Sequence, residues 1–145
     1  MSEELTPQTS ELIQSIRSIV EQARSQVKQV VNSAMVLAYW EIGRLIVEDE
    51  QKGEKRAEYG KKHLQQISAQ LSQDFGKGFD VTNLRNMRRF FQAFSNRETL
   101  SLELGWSHYN RLARIENESA REWYVQEAIE HSWSVRALNR QISKL

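Results

Sequence analysis

The sequence predicts an all-α fold on three observations. From Ser10 to about Glu50 there is no proline and only one glycine, Gly43; apolar residues recur at spacings of three and four along most of the chain; and no alternating run is long enough for a strand.

Thr6 followed by Pro7 reads as a helix start, because proline at the first helical position gives up an amide that has no partner there. Ile16, Val20, Ala23, Val27, Val30, Ala34 and Leu37 then form a heptad-like seam that breaks at Glu41. Unbroken, this helix would be about 60 Å long, more than one small core covers, so part of it is expected to pack against a second chain in a homodimer or against a hairpin of its own. Two shorter helices split between Gln26 and Asn32 are the alternative. Glu48 to Lys62, with Gly53 and Gly60 inside a highly charged run, reads as a loop or a frayed helix boundary.

From Tyr59 the pattern Leu64, Ile67, Leu71, Phe75 is helical again and stops at Gly76. Gly76 and Gly78 mark a turn, Thr82 or Asp80 caps the next helix, and its apolar residues Leu84, Met87, Phe91 and Phe94 fall on one side. Arg85, Arg89 and Gln92 point the other way, with Thr82 and Asn86 nearby and Lys77 in the turn. Helix, glycine-bearing turn, amphipathic basic helix is the helix-turn-helix arrangement, whose second helix enters the major groove.

The last third splits into three short helices: Ser107 starts one, Ser119 with Glu122 makes a capping box for the next, and Ser134 caps the last. Trp106, Tyr109, Leu112, Ile115, Trp123, Tyr124, Ala128, Ile129, Trp133, Val135, Leu138 and Ile142 supply their core. The chain is thus expected to hold a tail over 1–9 and one helical domain over 10–145: a long helix or helix pair over 10–50, a helix-turn-helix-like element over 59–97 and short helices over 105–145.

With 145 residues, 39% of them hydrophobic, the chain can bury one core. It has no cysteine, which excludes disulfides and thiolate zinc sites. The polar, acidic start and the lack of an apolar run near the roughly 20 residues of a membrane span point to a cytoplasmic protein with no membrane partner. Net charge is only +1, yet residues 51–97 carry 10 basic and 4 acidic side chains, a local field suited to a polyanion. His63, His108 and His131 lack ligand spacing to each other or to a carboxylate pair, so no metal site and no cofactor is expected. Glu50 and Lys52 imitate a fragment of a nuclease motif, but no strand carries them, and neither a phosphate loop nor an activated nucleophile is present.

Tyr39-Trp40-Glu41-Ile42-Gly43, Tyr59-Gly60, Gly78-Phe79 with Asn83-Leu84 and Met87-Arg88, Trp106-Ser107-His108-Tyr109 and Trp133-Ser134-Val135-Arg136 make a pattern over about residues 10–145. It closely resembles the N-terminal domain of the YhcG-like bacterial proteins of the PDDEXK nuclease superfamily. The resemblance implies a helical DNA-binding module beside a separate C-terminal domain that carries the nuclease chemistry. The Asp and Glu-x-Lys residues of that catalytic domain have no counterpart here, so nuclease activity is not carried over.

Arg85 and Arg89 are the foremost candidates for contacts to duplex DNA, while Asn83 and Arg88 either fix the turn and pair with an acid or touch phosphate. Ser107 and His108 at a helix start, and Arg136 and Arg140 four apart, are candidates for a second contact surface. The leading expectation is a non-catalytic DNA-targeting domain that places a nuclease domain or partner on DNA. A protein-interaction module of a nuclease or defence complex, using the Ile16–Leu37 seam, is the alternative.

Overall fold

The computed structural model describes the backbone over residues 6–52 and 57–144 and the side chains over 6–52 and 63–144. It is all-helical: α1 (Pro7–Lys52), α2 (Ala57–Phe75), α3 (Val81–Ala93), a 3₁₀ turn at Arg97–Thr99, α4 (Trp106–Leu112), α5 (Glu118–Glu130) and α6 (Val135–Ser143), with no strand among the described residues.

α1 starts where the Thr6–Pro7 pair places it, with the Thr6 hydroxyl accepting the Thr9 amide at 3.1 Å. It is one unbroken helix of 46 residues, about 70 Å long, so the split between Gln26 and Asn32 does not occur. It also carries through Glu48–Lys52, which the charged composition had assigned to a loop or frayed boundary. A run of charged residues is compatible with a helix whose outer faces meet water. Residues 53–56 of that stretch lie outside the described residues, as do residues 1–5 and the side chains of Tyr59, Lys61 and Lys62.

Only the C-terminal half of α1 enters the core. Val36, Trp40, Gly43 and Ile46 are its buried positions. They share one face, which crosses α3 at close range. A Cβ on Gly43 would stand 2.1 Å from the Met87 carbonyl oxygen and 3.1 Å from the Phe91 Cβ. The Trp40 indole N–H donates to the Phe94 carbonyl oxygen at 2.7 Å and so pins α1 to the end of α3.

α3 is the central helix. Leu84, Met87 and Phe90 are fully buried, each contributing about 1.5–3 kcal/mol by burial. Phe90, missing from the expected apolar stripe, is the residue that packs on Trp106 and Tyr109 at 5.4 and 4.9 Å between ring centroids. Phe91 and Phe94 are only partly buried; Phe91 meets Trp40 in a T-shaped contact at 5.2 Å between centroids, and Phe94 meets Phe90 and Tyr109 at 5.8 and 5.1 Å. Beside this core, Ile46, Leu64, Leu84 and Met87 form a second cluster that seats α2.

Three short helices close the fold. Ser134 caps α6 through the Ala137 amide at 3.1 Å, but α5 is capped by Asn117, which accepts the Ala120 amide at 2.9 Å, and not by Ser119. α4 begins at Trp106 behind Gly105, one residue before the expected Ser107. Tyr124, Ala128, Leu138 and Ile142 are buried, whereas Trp123 is 54% exposed. Neighbouring residues on a helix point about 100° apart, so Tyr124 takes the core and its neighbour is left against the edge of the Tyr124 ring.

α1 also holds an 18-residue window apolar enough, by length and composition, to cross a membrane, with 22% of it buried. The reading that no run comes near this limit was too strict.

Candidate nucleic-acid interface

The turn ahead of α3 is fixed by its own residues. Gly76 and Gly78 have φ of 83° and 109°, where a side chain is strained, and no atom of the body lies within 4 Å of a Cβ at either. The Asp80 carboxylate caps α3 by accepting the Asn83 amide at 3.1 Å, which leaves Thr82 uncapping and exposed. The Asn83 side-chain amide donates back to the Gly78 carbonyl. Asn83 therefore serves the turn.

Thr82, Arg85, Arg89 and Gln92 are exposed and fall at spacings of three, four and three, so they share the side of α3 opposite Leu84 and Met87. Asn86 is half-buried at its margin. Among the described residues neither Arg85 nor Arg89 has an acidic partner. Arg88 does: its Nη1 donates to Glu50 Oε1 at 2.6 Å and ties α3 to α1. Glu50, whose spacing to Lys52 imitates a metal-binding motif, is thereby committed to an ion pair. Lys77 is exposed in the turn.

The remaining candidates lie on other helices. Ser107 is exposed on α4. His108 is engaged at both nitrogens: Nδ1 accepts the Gly105 amide at 3.2 Å, which leaves Nε2 to donate to the Trp133 carbonyl oxygen at 2.8 Å. It joins α4 to the α5–α6 junction and is no free contact residue. Arg136 and Arg140 are exposed on α6, without ion pairs among the described residues.

Two features escaped the sequence. Glu41, Arg44, Glu48 and Arg97 form a surface network, with Arg44 within 2.9 Å of both Glu41 and Glu48 and Arg97 at 3.7 Å from Glu41. The Glu41 carboxylate first, then Glu48, raises the Arg44 pKa above its ordinary value. The i, i+3, i+4 spacing of Glu127, Glu130 and His131 also brings three ligand-type groups within 4.8 Å, which corrects the statement that no histidine is spaced to a carboxylate pair. Glu130 and His131 are exposed and His131 pairs with Glu127 at 2.8 Å, an ordinary way to arrange such groups on a helix end.

A family model, the DUF1016 N-terminal domain, matches residues 15–145. The chain belongs to that family. The DUF1016 N-terminal domain described here is 34% identical to the Escherichia coli (strain K12) protein named "Putative nuclease YhcG", over 99% of this chain and 47% of that protein. It thus spans about half the length of the curated relative it matches. No solved structure matches.

In this DUF1016 N-terminal domain the clusters that carry the resemblance are largely packing residues. Trp40 and Gly43 make the α1–α3 crossing, Asn83 locks the turn, Arg88 holds Glu50, and His108 bridges to Trp133. Arg85 and Arg89 lie between them in sequence and on the opposite side in space.

Proposed function

We propose that this domain is a non-catalytic DNA-targeting module that meets the phosphate backbone of DNA with Arg85 and Arg89 on the exposed face of α3. The observation that carries the reading is the contrast within one turn of helix: Arg88 is neutralised by Glu50, while Arg85 and Arg89 face water with no carboxylate among the described residues to satisfy them. A helix anchored by its buried opposite face supports such contacts because its backbone is already ordered, so binding has only the arginine side chains left to fix. Lys77 in the turn adds a further exposed cation ahead of α3, and Arg136 and Arg140 are exposed on α6. The similarity to a protein named as a nuclease fits a targeting role, in which the other half of such a protein acts on the bound polymer.

The test is binding of the purified chain to duplex, single-stranded and RNA oligonucleotides across a salt series, with Arg85→Ala/Arg89→Ala alongside. Duplex binding that weakens in the variant, with a log–log salt slope smaller by about 1.8 for two lost phosphate contacts, supports the reading. Equal binding by a folded variant, or none by the parent at low salt, overturns it. A protein-interaction role is favoured by a separate observation, the exposed apolar face of α1.

A further inference from the structure

The N-terminal half of α1 is built inside out for a monomer. Ser25, Lys28, Gln29 and Asn32 line a shallow pocket with Leu102, Glu103, Leu104 and Gly105, so the polar side of this segment looks toward the body. Val27, Val30 and Val31 look away from it and are 53–69% exposed. With Leu12, Ile16, Ile19, Val20 and Met35, they leave eight large apolar side chains on the outside of one helix. At about 100° per residue the axis of this stripe lies about 180° from Val36, Trp40 and Gly43, the face that packs on α3.

We infer that this stripe is a dimer interface in which α1 of a second copy lies antiparallel. Three observations select that occupant. The first is spacing: from Leu12 through Ile16, Val20, Ala23, Val27, Val30, Ala34, Leu37 and Glu41 to Leu45, the steps read four, four, three, four, three, four, three, four, four, the same in either direction. A two-fold axis between Val27 and Val30 therefore sets Val27 against the second copy's Val30, Ala23 against its Ala34, Val20 against its Leu37, Ile16 against its Glu41 and Leu12 against its Leu45. Every seam position meets a seam position, the self-complementarity an isologous contact requires.

The second observation is charge. A parallel, in-register pair would stack Glu41 on Glu41 in the seam, whereas the antiparallel pair sets it beside an isoleucine with Arg17 one residue on. It also brings the positive N-terminal end of one α1, at Pro7–Thr9, next to the exposed Glu48 and the half-exposed Asp49 at the C-terminal end of the other. The third is area. Eight side chains at these exposures, with Leu45 at 56%, offer on the order of 800 Å² per copy, the size of a standard stable interface. The face that packs on α3 lies on the far side of each helix, and Arg97 beside Glu41 and α2 beside Leu45 rim the C-terminal end of the seam. Leu45 also rims the apolar cleft of roughly 780 Å³ between α1 and α2, so the second copy's Leu12 end caps that cleft.

The inference is independent of the DNA reading. The chain has no cysteine, which makes crosslinking clean. Sedimentation of the full chain at micromolar concentration is expected to give twice the chain mass, and Val27→Glu/Val30→Glu to give once that mass, with the near-ultraviolet signal of the Tyr109 core retained as evidence of a folded body. In a mixture of Leu12→Cys and Leu45→Cys chains, oxidation is expected to join the two different chains, while either variant alone gives little disulfide. A monomeric parent overturns the inference. So does self-crosslinking of each variant alone, which marks a parallel pair, and so does a parent that stays monomeric in solution yet cosediments with lipid vesicles, which assigns the stripe to a membrane surface.

Discussion

Gly43 of α1 lies beneath Met87 of α3 so closely that a Cβ there would stand 2.1 Å from the Met87 carbonyl oxygen. Elsewhere in a helix, replacing glycine with alanine stabilises by about 1 kcal/mol. Here the backbones would have to part and open the α1–α3 core, so Gly43→Ala is expected to destabilise by roughly 2–4 kcal/mol. Denaturant unfolding gives the sign directly, and a gain in stability would refute the close crossing.

Arg88 and its neighbours separate structure from contact. Arg88 and Glu50 are about one-third exposed at the side chain and join helices 38 residues apart in sequence. Arg88→Ala is expected to lower stability by about 1 kcal/mol, at the upper end for an exposed pair. Arg85→Ala/Arg89→Ala is expected to stay within about 0.5 kcal/mol of the parent. Paired melts and oligonucleotide titrations on the same samples read both effects.

His108→Ala removes one acceptor and one donor that join α4 to the α5–α6 junction. The expected cost is about 1–3 kcal/mol, because the Gly105 amide and the Trp133 carbonyl are left without that partner. If His108 instead contacted a nucleic acid, the change would weaken binding and leave the melting temperature alone.

Tyr109 makes the fold sensitive to alkali. Burial pushes its phenol pKa up, partly offset by the Ser101 amide, which donates to the phenol oxygen at 2.6 Å; the Ser101 carbonyl accepts from the phenol at 3.1 Å. A group whose folded pKa is raised contributes stability fully present below its unfolded value, about 10, and lost as pH rises through the folded value. Stability is therefore expected to fall as pH climbs past about 10, and Tyr109→Phe to remove that part of the decline while costing about 1 kcal/mol at neutral pH.

Trp123, on the rim of α5, is expected to be open to a collisional quencher such as acrylamide, and Trp123→Gln to change stability by under about 0.5 kcal/mol. Quenching compared between parent and variant measures its share of the four tryptophans' emission.

Much of the candidate site was legible in the chain. Gly76, Gly78 and Asp80 announce a turn and a cap by local chemistry alone, and the three-four spacing of Thr82, Arg85, Arg89 and Gln92 needs only helical geometry to share a face. Helical spacing also set Arg88 at the margin of the buried face and Arg85 and Arg89 outward, but which acid meets Arg88 was not legible. Arg88 and Arg89 are adjacent and chemically alike, and only the approach of α1 delivers Glu50 to one of them. His108 was misread for the same reason, since the Trp133 carbonyl that occupies it lies 25 residues away.

The sequence by itself determined the helical class, the start at Thr6–Pro7 and the cap at Ser134, because each depends on residues within a turn or two of one another. Tertiary structure alone decided that α1 runs unbroken, that Phe90 takes the core while Trp123 does not, and that the Val27–Val31 face looks away from the body. Periodicity gives a helix an apolar side. Which neighbour that side meets depends on where the other helices pack, and this is set by long-range contacts such as Gly43 beneath Met87, which no local pattern records.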